Sequence, residues 1–80
     1  MEKKLSDFKP GEIGIVLKVQ GEGGLKRRIF DMGITPGTRI SMRKSAPLGD
    51  PIELTVKGYE LSLRKAEAAN VLMKIEEGDV

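Results

Sequence analysis

LKRRIFDMGITPGTRISMRKSAPLGDPIELTVKGYELSLRK, residues 25–65, is the stretch whose reading decides the fold. Leu25, Ile29 and Met32 fall at i, i+4 and i+7 with Phe30 on their flank, which predicts one short helix with a single apolar face. Gly33 follows at once, where a helix closes through a left-handed residue that glycine enters without steric cost. Thr35-Pro36-Gly37-Thr38 is a turn, with Pro36 and Gly37 suited to its central positions. Two strands come next. Thr38, Ile40 and Met42 alternate with Arg39, Ser41 and Arg43, and Ile52, Leu54 and Val56 alternate with Glu53, Thr55 and Lys57. The segment Ala46-Pro-Leu-Gly-Asp-Pro51 between them is too long for a two-residue hairpin, and its two prolines make a semi-rigid protruding loop. Gly58-Tyr59 turns the chain again, with Leu61 and Leu63 pointing inward beyond it.

The flanks read mainly as further strands of the same sheet. Before Lys9-Pro10-Gly11, Leu5 and Phe8 are the bulky apolar residues, anchors for an N-terminal arm. In the segment from Glu12 to Gln20, Ile13, Ile15, Leu17 and Val19 alternate with Gly14, Val16, Lys18 and Gln20, which predicts a half-buried strand with the first set inward. Gly14 inside it signals a bulge or a close backbone approach. Arg64 to Ala69 predicts about two helical turns closed by Asn70. Val71, Met73 and Ile75 make a last strand, and residues 77–80 a frayed tail. The sum is a mainly β chain of about five short strands, one early helix and one late helical turn, expected to close as a compact barrel. A single domain over 1–80, with its core about 5–76, is the expected organisation of a chain this short.

Composition excludes several chemistries. The 80 residues include no cysteine and no histidine, which removes disulfides, thiolate metal sites, imidazole ligands and Ser–His or Cys–His catalysis. Gly21-Glu-Gly-Gly24 lacks the spacing and the following Lys-Ser/Thr of a phosphate-binding loop. We therefore expect no enzyme activity, no cofactor and no intrinsic metal site; Asp50, Glu53 and Glu60 offer hard oxygen ligands at best. No apolar run approaches the roughly 20 residues of a membrane span, and no secretory h-region opens the chain, so a cytoplasmic location is expected.

The net charge of +2 hides an uneven distribution. From Gly23 to Ala46, six cations (Lys26, Arg27, Arg28, Arg39, Arg43, Lys44) face Asp31 alone, a local balance of +5; from Ala66 to Val80 the balance is −3. Lys26, Arg27 and Arg28 fall in the first turn of the expected helix and Asp31 in its last, against the helix dipole. Two readings stand side by side: a docking face for an acidic partner, or a solvated face whose arginine stems cover apolar surface. Leu48 at the loop tip and Tyr59 at the corner are candidate apolar anchors for a protein partner.

Three blocks now carry a family resemblance: Leu25 to Thr38, Ala46 to Pro51, and Gly58 to Lys65. In this order they resemble the FeoA family, small proteins of bacterial and archaeal ferrous iron transport, and the likeness covers roughly Leu5 to Glu76. The resemblance implies an SH3-like barrel with inserted helices, acting beside FeoB, a membrane permease with a cytoplasmic GTP-binding domain. Transition-metal binding is a further family-level implication, without obvious ligands here. Partner contacts are then expected from Lys26, Arg27, Arg28, Arg39, Arg43, Leu48 and Tyr59, and turn roles from Gly33, Pro36, Gly37 and Gly58. Alternatives are a basic barrel that binds RNA or another nucleic acid, or a metal-responsive interaction module.

Overall fold

The computed structural model describes residues 1–45, 47 and 49–76, so the readings of Leu48 and of the 77–80 tail lie outside the described residues. The described chain runs β1 (Glu2–Lys4), a 3-10 turn (Leu5–Asp7), β2 (Ile13–Val19), α1 (Gly23–Asp31), β3 (Arg39–Ser45), β4 (Ile52–Val56), β5 (Tyr59–Leu63), α2 (Lys65–Ala68) and β6 (Val71–Ile75). The six strands form one antiparallel sheet in the order β1-β6-β2-β3-β4-β5. The extra strand relative to sequence expectation is the N-terminal arm, which pairs with β6 through Glu2↔Lys74 and Lys4↔Leu72.

The concave side of this sheet holds the core. Ile40 and Met42 face Val56 and Leu54 across β3–β4, and Ile52 faces Leu63 across β4–β5, all five pairing partners buried together with Ile52. Register follows from parity, because a one-residue slip would turn every one of these side chains outward. Leu5 and Phe8 from the N-terminal arm and Ile29 and Ile34 from α1 and its exit join the same core.

β2 corrects the predicted phase. Gly14, Val16 and Val19 point inward, whereas Ile13 and Ile15 are half-buried on the outer face and Leu17 is 36% exposed. Two contacts explain this. A Cβ on Gly14 would lie 2.8 Å from the Phe8 ring and 2.8 Å from the Lys74 carbonyl oxygen, so the Phe8 ring takes the space above Gly14 and fixes that residue on the core side. The register with β6 then shifts between Val16 and Lys18, and this bulge inserts Leu17, so that Val16 and Val19, three apart, both reach the core.

α1 begins at Gly23, with the Lys26 amide donating to the Glu22 carbonyl at 2.8 Å. This is earlier than the apolar periodicity indicated, and it moves Lys26 and Arg27 to mid-helix and Arg28 to the last turn, where the dipole favours a cation. The unfavourable first-turn placement expected from sequence is thereby overturned. The helix ends in a Schellman motif: Gly33 (φ 91°) donates to the Phe30 carbonyl at 2.9 Å and Ile34 to the Ile29 carbonyl at 3.2 Å. The accompanying apolar contact is between Ile29 and Ile34, both fully buried. Thr38 donates its amide to Thr35 at 3.0 Å around Pro36 and Gly37 (φ 91°), which makes the turn that starts β3.

We expect Gly14→Ala to destabilise by about 1–3 kcal/mol, because the added methyl meets backbone as well as a ring. Leu17→Ala should stay within about 0.5 kcal/mol. Urea midpoints of the two variants compare them directly.

A pH dependence follows from the N-terminal arm. Lys3 Nζ donates to Glu12 Oε1 at 2.8 Å and the Lys9 amide to the same oxygen at 2.6 Å; the Lys3 bond first, then the Lys9 amide, hold the Glu12 carboxyl below its ordinary value. A carboxyl depressed in the folded state adds stability above its unfolded pKa and loses it as pH falls through the folded one. Stability should therefore fall below about pH 5, and Glu12→Gln should flatten that limb of a urea-midpoint-versus-pH curve.

Candidate functional site

The cations grouped by sequence separate in space. Ile29 anchors α1 on the core side of the sheet, so Lys26, Arg27 and Arg28 project from that side; Arg39 precedes buried Ile40 on β3 and points to the opposite, outer face. Most of these charges have partners. Arg28 reaches Glu67 at 3.2 Å, and Glu67, almost fully buried, also accepts the Arg64 amide at 3.1 Å, tying α1 to α2. Lys26 lies 5.8 Å from the centre of the Phe30 ring. Arg39 makes a two-pronged contact to Glu76, with Nε at 2.9 Å and Nη2 at 2.8 Å. Arg43 pairs with Glu60 at 2.5 Å, and Lys44 reaches Glu53 at 3.9 Å. Arg27, exposed, makes no ion pair among the described residues.

Tyr59 lies at the start of edge strand β5 and is 46% exposed, yet its hydroxyl donates to the Met32 carbonyl at 2.8 Å. It thus supplies one of the helix-end carbonyls with a donor and lies over Gly33, where an added Cβ would come within 2.5 Å of the Tyr59 hydroxyl. Gly33 therefore answers two demands, a left-handed backbone and a close approach. The ring is held by this bond and remains partly exposed.

Sequence reasoning missed a depression on the outer face. Ile13, Ser41 and Thr55 stand side by side across β2, β3 and β4, opposite one another in both registers. Ser41 and Thr55 are short, while Arg39 and Lys57 beside them are long, and a groove of about 380 Å³ opens between Ile13, Arg39, Ser41, Thr55, Lys57 and Gly58. Ile13 had been assigned to the core by alternation; the Phe8 contact with Gly14 puts it here instead. Lys57 and Gly58 form the two-residue β4–β5 turn with φ of 50° and 84°. Positive φ at both positions is the type I′ arrangement, in which asparagine or aspartate usually precedes the glycine, so Lys57 gave no signal of the turn.

No group of three or more acidic side chains gathers as a metal site among the described residues, and no described helix is long and apolar enough to cross a membrane.

The short antiparallel strands, wrapped around one core with a helix inserted after β2, are those of a small SH3-like barrel. Solved structures place it further. A FeoA-like protein from Clostridium acetobutylicum is 37% identical and superposes with a TM-score of 0.90 over 99% of this chain and 92% of that one. FeoA of Stenotrophomonas maltophilia complexed with zinc, an SH3 domain protein, is 25% identical, with a TM-score of 0.78 over 90% and 89% of the two chains. A manganese-dependent transcriptional repressor shares the fold at 14% identity with a TM-score of 0.86, over 94% of this chain and 41% of that one. The FeoA domain family matches residues 3–75, and the chain belongs to that family, linked to ferrous iron transport. A Porphyromonas gingivalis protein, an Fe(2+) transport protein A/Fe(2+) transporter FeoB fusion, is 32% identical over 72 residues, 90% of this chain; the chain corresponds to 8% of that relative's length.

The Tyr59–Gly33 contact predicts coupling. Tyr59→Phe should cost about 0.5–1.5 kcal/mol through the lost hydrogen bond. Gly33→Ala should cost about 1–3 kcal/mol from its backbone conformation, and its cost should shrink once the Tyr59 hydroxyl is removed. A double-mutant cycle in urea, showing sub-additive losses, is the expected result.

Proposed function

We propose that this chain is a non-enzymatic accessory protein of ferrous iron uptake that works by contact with the cytoplasmic, GTP-binding part of an FeoB-type permease, at the inner face of the membrane. The observation that carries the reading is the Porphyromonas gingivalis fusion, in which a domain 32% identical to this one is continuous with the transporter FeoB. Covalent linkage supplies an effective concentration in the millimolar range, so even a weak contact is populated there. The contact itself has to come from the domain's own surface. The exposed cations support an acidic partner, with Lys26, Arg27 and Arg28 on the α1 side and Arg39 and Arg43 on the sheet. Tyr59 adds a partly open aromatic edge.

Nucleic acid is less well served by this surface. Phe8 is buried, Phe30 is half-covered beneath Lys26, and Tyr59 has its hydroxyl committed to Met32, which leaves no row of open rings for base stacking. The test is a titration of the labelled protein with the cytoplasmic domain of an FeoB from the same organism, beside single-stranded RNA. We expect binding to the domain, weakening as salt rises, with Arg27→Ala slowing association a few-fold and leaving dissociation nearly unchanged. Tight RNA binding without binding to the domain would overturn the reading.

A further inference from the structure

We propose that the outer-face groove between β2, β3 and β4 is a docking site for an extended acidic segment of a protein partner, one that seats an apolar side chain against Ile13 and places carboxylates on Arg39 and Lys57. The inference rests on the reading of the chain as a transporter-contacting protein and goes beyond it in naming the surface and the chemistry of what binds.

Three observations carry it. The first is shape and polarity: an apolar floor from Ile13, with half-buried Ile15 next to it on the same face, hydroxyls from Ser41 and Thr55, and two cations on one rim. Such a surface matches a segment in which an apolar residue lies beside acidic ones, and it disfavours a basic one. The second is local cost. Lys57 holds φ at 50°, a conformation that a lysine adopts less readily than asparagine or glycine, at a hairpin position where asparagine is the favoured residue. It also stands beside Arg39, since Lys57 follows Val56, and Val56 pairs with Ile40, the residue after Arg39. Glu76 answers the charge of Arg39, whereas Lys57 has no carboxylate partner among the described residues. A lysine in this uncommon backbone conformation, with no carboxylate of its own, is open to a partner's carboxylate.

The third is the state of Arg39. Its guanidinium fork is already filled by Glu76, in the two-pronged geometry that a partner carboxylate would use. The pair is open, with side chains 60% and 41% exposed. The pair faces solvent, where water and salt screen it, and an incoming carboxylate of the same two-pronged geometry can exchange with Glu76. Glu76 thus acts as an internal competitor for the site. The α1 cations, on the other side of the sheet, would steer the approach of an acidic partner, while the groove would set how long it stays.

The experiment uses the full chain and the cytoplasmic domain of an FeoB from the same organism as the probe, with amide chemical-shift mapping and association and dissociation rates. Shifts should concentrate on β2, β3 and the 57–58 turn. Glu76→Gln, which releases Arg39, should tighten binding by up to about fivefold. Lys57→Asn should raise the melting temperature, because asparagine suits the turn, and yet weaken binding through faster dissociation. Ile13→Ser should act in the same direction on dissociation. Binding whose shifts map to α1, with Glu76→Gln and Lys57→Asn without effect, would overturn the groove and leave the partner reading intact. Absence of any binding to the domain overturns both. A dimer of this chain that disappears with Lys57→Asn would also overturn the proposal, by giving the groove to a second copy.

Discussion

The Phe8 ring over Gly14 is the contact on which the rest of the surface depends. With no side chain, Gly14 lets the ring and the Lys74 carbonyl come within what would be 2.8 Å of a Cβ, and this sets β2 with its glycine toward the core. Because strand side chains alternate, that one choice sends Ile13 and Ile15 outward. Val16 then fills the interior where the alternation had placed Ile15, and the bulge at Leu17 lets Val19 follow it three residues later. Had the phase been the reverse, the outer face of β2 would carry Gly14 and Val16, with no apolar floor beside Ser41. The N-terminal arm is therefore part of the site's construction, since Lys3, Phe8 and Glu12 hold one another through an ion pair and a cation placed 5.3 Å from the ring centre.

The electrostatics reverse the impression given by counting charges. A local excess of +5 suggested one basic patch, yet the fold distributes those cations over two faces and neutralises several from distant parts of the chain. Glu67 answers Arg28, Glu60 answers Arg43 and Glu76 answers Arg39. The acidic C-terminal region is where two of the three partners come from, so the asymmetry of the sequence is in part an intramolecular complementarity. The pairs differ in weight. Arg28–Glu67 involves a carboxylate almost out of water that also accepts the Arg64 amide, and removing its partner would leave a buried charge; the other two are open and readily exchanged.

What could be read from sequence divides along physical lines. β3 and β4 were legible because each alternates apolar with polar or charged residues, leaving one choice of face. The end of α1 was legible because Gly33 and Pro36-Gly37 each have one comfortable conformation in such a place. β2 was not, since both of its phases are rich in apolar residues, and the residue that decides between them is a glycine whose partner lies six positions earlier. The start of α1 was missed for a related reason: Gly23 and Gly24 carry no side chain to register in a periodic pattern, although nothing opposes their entering a helix. The outer-face groove was invisible because it is made by what is short, Ser41 and Thr55, in three strands that only the register brings side by side.

The fusion found in Porphyromonas gingivalis bears on how strong a contact such a domain needs. When linked, the domain samples its partner's surface continually, and an interface worth only a few kcal/mol is occupied. Linked or not, the contact draws on electrostatic steering, apolar contact or both. Steering alone accelerates encounter without prolonging it, and exposed charges more than about 8 Å apart are largely screened at physiological salt. Dwell time has to come from buried apolar area and well-oriented hydrogen bonds. In this chain the exposed cations of α1 and the groove lined by Ile13, Ser41 and Thr55 lie on different faces. A partner that uses both must wrap the edge of the barrel or offer a segment long enough to reach around it, which favours an extended acidic strand or tail over a flat globular face.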